Sequence, residues 1–132
     1  MQLKSYIAGN WRAGSGAQTP LRDATTGEVI AETSSGGLDF RGMLEHARSV
    51  GGPNLRRLTF HERAARLKAL AKYLTERKEE LYALSFATGA TRSDAWIDID
   101  GGIGTAFVFA SKGVRELPNI RVYVDGGAGG LS

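Results

Sequence analysis

Apolar residues recur along this chain in two rhythms. Over residues 1–36 they come in short runs broken by turn-forming residues, and from residue 38 onward they return every third or fourth position. The first rhythm predicts two β-hairpins. In "KSYIAGNWRAG" the dipeptide Gly9-Asn10 supplies a tight turn between Tyr6-Ile7 and Trp11. In "TPLRDATTGEVIAETS" the turn is Asp23 to Gly27, with Leu21 on one strand and Val29-Ile30 on the other. "GSGAQT", residues 14–19, reads as a flexible connection between them.

The second rhythm predicts helices. Phe40, Met43, Leu44, Ala47 and Val50 repeat at helical spacing over residues 38–50, with Asp39 as N-cap and Gly51-Gly52-Pro53 as terminator. "PNLRRL" is then a short turn. Thr59 and Glu62 form a capping box, and Phe60, Ala64, Leu67, Ala71 and Leu74 define one apolar stripe behind it. The stripe loses register at 75–78, which predicts a break before a further helix through Leu81, Leu84 and Ala87 that stops at Thr88-Gly89. A last helix, capped by Ser93 or Asp94, carries Trp96, Ile99, Ile103, Phe107, Ala110 and Val114 on one stripe and closes at Pro118. "IRVYVD" reads as a strand with Val122 and Val124 on one side, and "GGAGGLS" as a fraying tail. The resulting fold class is α+β and mainly helical. It comprises a hairpin arm (1–36), a helical segment (37–117) and a strand with a Gly-rich tail (118–132), together one incomplete domain.

The segment "DIDGGIGTAFVFAS" invites a nucleotide-binding reading that its periodicity opposes. A dinucleotide loop needs Gly-x-Gly-x-x-Gly directly after a strand, so that backbone amides meet a pyrophosphate at a helix start. Here Gly102 and Gly104 fit the first two positions, but Phe107 occupies the third, and no Gly-Lys-Ser/Thr is present. The helical rhythm passes straight through Gly101, Gly102 and Gly104. Amides in a helix interior are already bonded to carbonyls and cannot cradle phosphate. The glycines are therefore expected to mark a close approach of a neighbouring element, which would offset their cost of about 1 kcal/mol each.

Composition narrows the chemistry. The 132 residues, 42% hydrophobic and 23% charged, suit a soluble globular chain with a modest core. No run reaches the roughly 20 apolar residues of a membrane span, no secretory leader is evident, and a cytoplasmic location is the default. The chain has no cysteine, which removes disulfides, thiolate zinc sites and thiol nucleophiles from consideration. A net charge of +3 conceals asymmetry: residues 41–78 hold ten Lys or Arg against three Glu, and residues 79–110 hold five acids against Arg92 alone. Arg56, Arg57, Arg63, Arg66 and Lys68 are the candidates for a nucleic-acid surface. No helix-turn-helix, RNP or zinc-finger pattern frames them, and Phe60 and Tyr73 are expected in the core, so the face reads as solvated and no nucleic-acid partner is expected. Asp94, Asp98 and Asp100 resemble a metal set only in charge. A helix start attracts acids through its dipole, and no further ligands follow at a recognisable spacing. His46 and His61 do not form H-x-x-x-H, and Ser15 and Ser35 lie in loops with no visible base. No catalytic, cofactor-binding or metal-binding residue is assigned.

Several stretches together resemble the opening of aldehyde dehydrogenases. "YIAGNWRAGSG…ATTGEVIAE" is similar to that family's G-x-W hairpin and the P/A-x-T-G-E-x-I-A segment after it. "TFHERAARLKALAKYLTERKEELYALSFATGATRSDA" is similar to its E-R-A helix and the T-G that follows. "GATRSDAWIDIDGGIGTAFVFASKGVRELPN" narrows the likeness to the dehydrogenase part of bifunctional phenylacetate-degradation proteins, which act on ring-opened CoA-thioester semialdehydes.

The resemblance implies the N-terminal portion of an α/β fold several times longer. In that fold a downstream cysteine attacks the aldehyde, and hydride passes to NAD or NADP before thioester hydrolysis. The catalytic cysteine, the activating glutamate, the oxyanion-hole asparagine and the cofactor-binding lysine have no matching positions here. The strand "RVYVD" looks like the start of the family's oligomerisation strand. The expected role is a structural scaffold without catalytic residues, with NAD or NADP belonging to the full-length parent. Its expected partners are another copy of itself or the remainder of the parent enzyme. A free-standing helical dimerisation or interaction module stands as the alternative.

Overall fold

A computed structural model describes residues 1–124. Two antiparallel hairpins come first: β1 (Lys4–Ile7) with β2 (Asn10–Ala13), and β3 (Thr19–Arg22) with β4 (Val29–Thr33). The pairings Tyr6 with Trp11 and Ile7 with Asn10 place Ala8 and Gly9 at the centre of the first turn, not Gly9 and Asn10. Both central residues have positive φ, 46° and 86°, as a type I′ turn requires. In the second hairpin Asp23 Oδ1 accepts from the amides of Thr25 and Thr26, which fixes the expected turn and holds the Asp23 carboxyl below the ordinary aspartate value.

Backbone bonds at both ends of the first hairpin tie it to the second. Glu32 N–H donates to the Met1 carbonyl and Leu3 N–H to that of Glu32, each at 2.8 Å, making a parallel bridge. Ser15 N–H donates to the Gly36 carbonyl at 2.8 Å. Gly14 is buried, and a β-carbon there would overlap the Ser34 carbonyl. The connection expected to be flexible is thus pinned at its first two residues, because glycine allows two backbones to meet. The Ala24 N–H donates to Ala87 O at 2.9 Å and anchors the second hairpin to the helical part.

The helical part begins with α1 (Phe40–His46), which Asp39 caps through the Gly42 amide. Gly51-Gly52-Pro53 does not end it. The chain widens into a π-helical turn over Ala47–Gly51, with the Gly52 amide bonded to Ala47 O, and runs on as α2 (Gly52–Arg57). Pro53 sits in the first turn of α2, where its missing N–H costs least, and the wider turn carries the helix past the ring. "PNLRRL" is therefore largely helical.

Thr59 and Glu62 make the expected capping box on α3 (Phe60–Thr75), and the expected break follows before α4 (Lys78–Phe86). Gly89 at φ 83° closes the turn after α4. Thr91 and Asp94 make a second capping box on α5 (Arg92–Arg115), so its N-cap is Thr91 and not Ser93 or Asp94. The hydroxyl and amide of Thr91 hold the Asp94 carboxyl below the ordinary aspartate value.

α5 lies antiparallel along α3, because His61 at the start of α3 meets Leu117 and Lys78, just past its end, meets Asp100. The buried residues of this helical part are mostly small: Ala64 and Ala71 on α3, and Ala95 and Ala110 beside Ile103 on α5. Ala95 lies on the buried face, whereas Trp96, expected there, is 60% exposed. Among the described residues no large side chain is fully buried.

Residues 120–124, the described part of the expected strand, pair with no other strand among the described residues, because a strand needs a neighbour for its ladder. They are strapped instead to the start of α3. Phe60 N–H donates to Ile120 O at 2.9 Å, and Arg63 Nη2 donates to Arg121 O at 3.2 Å. Asp125 and the Gly-rich tail lie outside the described residues.

Candidate functional site

The most connected group of polar side chains lies where α4 meets α5. Lys78 opens α4, and Tyr82 follows four residues later on the same face, reaching a carboxylate halfway along α5. Lys78 Nζ donates to Asp100 Oδ1, and the Tyr82 hydroxyl donates to Oδ2, so both carboxylate oxygens are engaged. Arg92 at the start of α5 stacks over the Tyr82 ring, 4.7 Å from its centroid, and donates to Glu79 at 3.2 Å. Tyr82, 4% exposed, is the one buried aromatic side chain among the described residues.

An open cleft of about 590 Å³ adjoins this group, with Ser93, Trp96 and Ile97 on its α5 side. Two cations and two carboxylates line it, so it favours neither anions nor cations. Lys78 and Tyr82 hold the Asp100 carboxyl below the ordinary aspartate value, which makes it a weak base. The same hydrogen bond to Asp100 pushes the Tyr82 hydroxyl up, so it is a poor proton donor near neutrality. The group acts as a clamp between two helices.

The expected site residues are dispersed. Gly101, Gly102 and Gly104 lie inside α5, so their amides serve the helix and offer no pyrophosphate cradle. Their packing role is overturned within this chain: a β-carbon at any of the three meets nothing within 4 Å among the described residues. The close approach lies further on, at Gly113, where a β-carbon would stand 3.1 Å from that of Ala64.

Asp94 caps α5, Asp98 is exposed and Asp100 belongs to the clamp. Among the described residues no three His, Cys, Asp or Glu side chains gather as a metal set. His46 is exposed, and His61 Nε2 lies 2.9 Å from Leu117 O, tying α3 to the segment after α5. Ser15 and Ser34 bond backbone carbonyls, and Ser35 is exposed. Arg56, Arg57, Arg66 and Lys68 are exposed, whereas Arg63 is tied to Leu55 O and Arg121 O and lies 5.1 Å from the centroid of the Phe60 ring. Tyr73, expected in the core, is exposed and stacked under Arg77, because it lies off the stripe that faces α5. No helix of the described residues is long and apolar enough to cross a membrane.

Comparison with known proteins supplies what the site geometry lacks. A family model described as "Aldehyde dehydrogenase family" matches residues 11–125. The chain belongs to the aldehyde dehydrogenase family. A relative in Aromatoleum evansii, named 3,4-dehydroadipyl-CoA semialdehyde dehydrogenase, is 41% identical over 114 residues. That alignment takes in 86% of this chain and 22% of the relative, so the chain spans about a fifth of the length of the protein it matches. The family resemblance is thereby borne out: the second hairpin, the capped helix and the glycine-bearing helix lie within the matched residues, and the first hairpin does so from Trp11 onward.

The clamp was not legible in the sequence as a unit. Lys78 and Tyr82 show a four-residue spacing, but Asp100 joins them only through the antiparallel packing of α5. The Thr91 cap was legible as T-x-x-D, two residues ahead of the position assigned to it.

Proposed function

We propose that this chain is the N-terminal scaffold segment of an NAD(P)-dependent aldehyde dehydrogenase acting on a CoA-thioester semialdehyde in aromatic catabolism, the phenylacetate route included. The observation that carries it is the 41% identity to a CoA-semialdehyde dehydrogenase confined to 22% of that protein's length. The chemistry of the chain supports a scaffold role. It contains no cysteine, the side chain that the resemblance assigns to attack on the aldehyde. Its strongest polar group is a neutral clamp with an engaged carboxylate, and its helix glycines have no free amides for a dinucleotide. NAD or NADP therefore binds on the remainder of the enzyme, where hydride transfer takes place. The hairpin arm (1–36), the helical segment (37–117) and the terminal stretch (118–132) act together as one incomplete domain of a cytoplasmic, oligomeric enzyme.

Incubating the purified chain with NAD or NADP and a CoA-linked semialdehyde should give no reduced cofactor above the enzyme-free rate. Turnover that scales with chain concentration would contradict the scaffold role. Light scattering separates the alternative, a free-standing module, which would form a discrete oligomer with a cooperative melt.

A further inference from the structure

The chain leaves more surface open than its mass calls for. It exposes 9832 Å², whereas a monomeric protein of 14.1 kDa exposes about 6,700 Å². Counting residues 125–132 at full extended exposure removes only about 900 Å² of the difference, so about 2,200 Å² stays in excess. That is the scale of one side of an obligate contact. The excess is apolar in part and lies on several elements, with Trp11, Phe40, Leu70, Trp96 and Phe109 all exposed. A two-fold contact between copies uses one self-complementary patch and would leave most of these residues open. A larger polypeptide that wraps the segment would cover them, and the chain spans only 22% of its relative.

The side of α5 turned away from α3 shows where such a polypeptide can approach most closely. Ile97, Gly101, Gly104 and Val108 follow at steps of four, three and four, opposite the buried Ala95, Ile103 and Ala110. Ile97 is 64% and Val108 52% exposed, and Phe109 borders the band at 62%. Between them the glycines form a floor with no neighbour of their own among the described residues.

We propose that this outward face of α5 is the docking surface for the downstream part of the longer dehydrogenase. The proposal rests on the chain's being the N-terminal segment of that enzyme, and one experiment separates the two. The 132-residue chain replaces the matched segment of the Aromatoleum evansii relative, and the thermal melt of this chimera is compared with that of the isolated chain. The wild-type chimera should fold and melt cooperatively. Ile97→Asp, Val108→Asp and Gly104→Leu should each lower the melt of the chimera by at least about 5 °C, while lowering that of the isolated chain by no more than about 2 °C. Variant chimeras that melt like wild type would overturn the docking surface and leave the segment role standing. A wild-type chimera that does not fold would overturn both. If the isolated chain is a dimer that these substitutions dissociate, a second copy occupies the face and the proposal falls.

Discussion

Ala8 and Asp100 show how single positions shape this chain. Ala8 is the one non-glycine residue among those described with positive φ, at 46°, in a turn that favours asparagine followed by glycine. Ala8→Asn is expected to raise stability by about 1 kcal/mol, read as a higher denaturation midpoint. Sequence alone places this turn one residue late, since Gly9-Asn10 looks like the turn dipeptide until the Tyr6–Trp11 pairing sets the register.

Asp100 makes a prediction about pH. Its folded-state value lies below 3.8, so its contribution is complete above the unfolded-state value and is lost as pH falls through the folded one. Tyr82 is the mirror case: raised above 10.0, it contributes below its unfolded value and loses that contribution as pH rises through the folded one. The stability difference between wild type and Asp100→Asn, measured in denaturant, should be present at neutral pH and close as pH falls below about 4. A gap that persists in strong acid would contradict the clamp.

The five α-helices differ in how much of them the sequence discloses. α3 is legible in full, since its capping box, its stripe and its end at 75 are all local signals. α1 and α2 are misjudged at their junction, because Gly51-Gly52-Pro53 reads as a stop and the π-helical turn that bypasses it has no local signature. On α5 the helical rhythm is legible, but which side faces α3 is not. Trp96 draws attention as a core residue, while the buried positions belong to Ala95, Ile103 and Ala110, whose role appears only once α3 lies alongside.

Two predictions belong at this scale. Thr91→Ala should cost about 1 kcal/mol, because it leaves the Asp94 amide in the first turn of α5 without its acceptor. Gly101→Ala and Gly104→Ala should each raise the stability of the isolated chain by up to about 1 kcal/mol, since the added carbon meets nothing and helix propensity improves. Gly113→Ala should give no such gain, because its β-carbon would press on Ala64. Thermal melts of the three glycine variants, side by side, check the contrast. Equal gains at all three would contradict the packing assigned to Gly113.

At the scale of the molecule, membership of the aldehyde dehydrogenase family accounts for features that make little sense in a self-sufficient domain. Alanines dominate the buried residues, large apolar side chains stay open on several elements, and no paired strand follows α5 among the described residues. Family membership was legible in the sequence through motifs spread over the whole chain. The scarcity of core was not, because stripes such as Phe60 to Leu74 look the same whether one face or two will be covered.

The most direct test of the scaffold role is to replace the matched segment of the Aromatoleum evansii relative with this chain and assay the chimera for NAD(P)-dependent aldehyde oxidation. The account predicts a soluble, active chimera and an inactive, poorly folded protein when the segment is simply deleted. Full activity in the deletion, or aldehyde oxidation by the 132-residue chain alone, would contradict it.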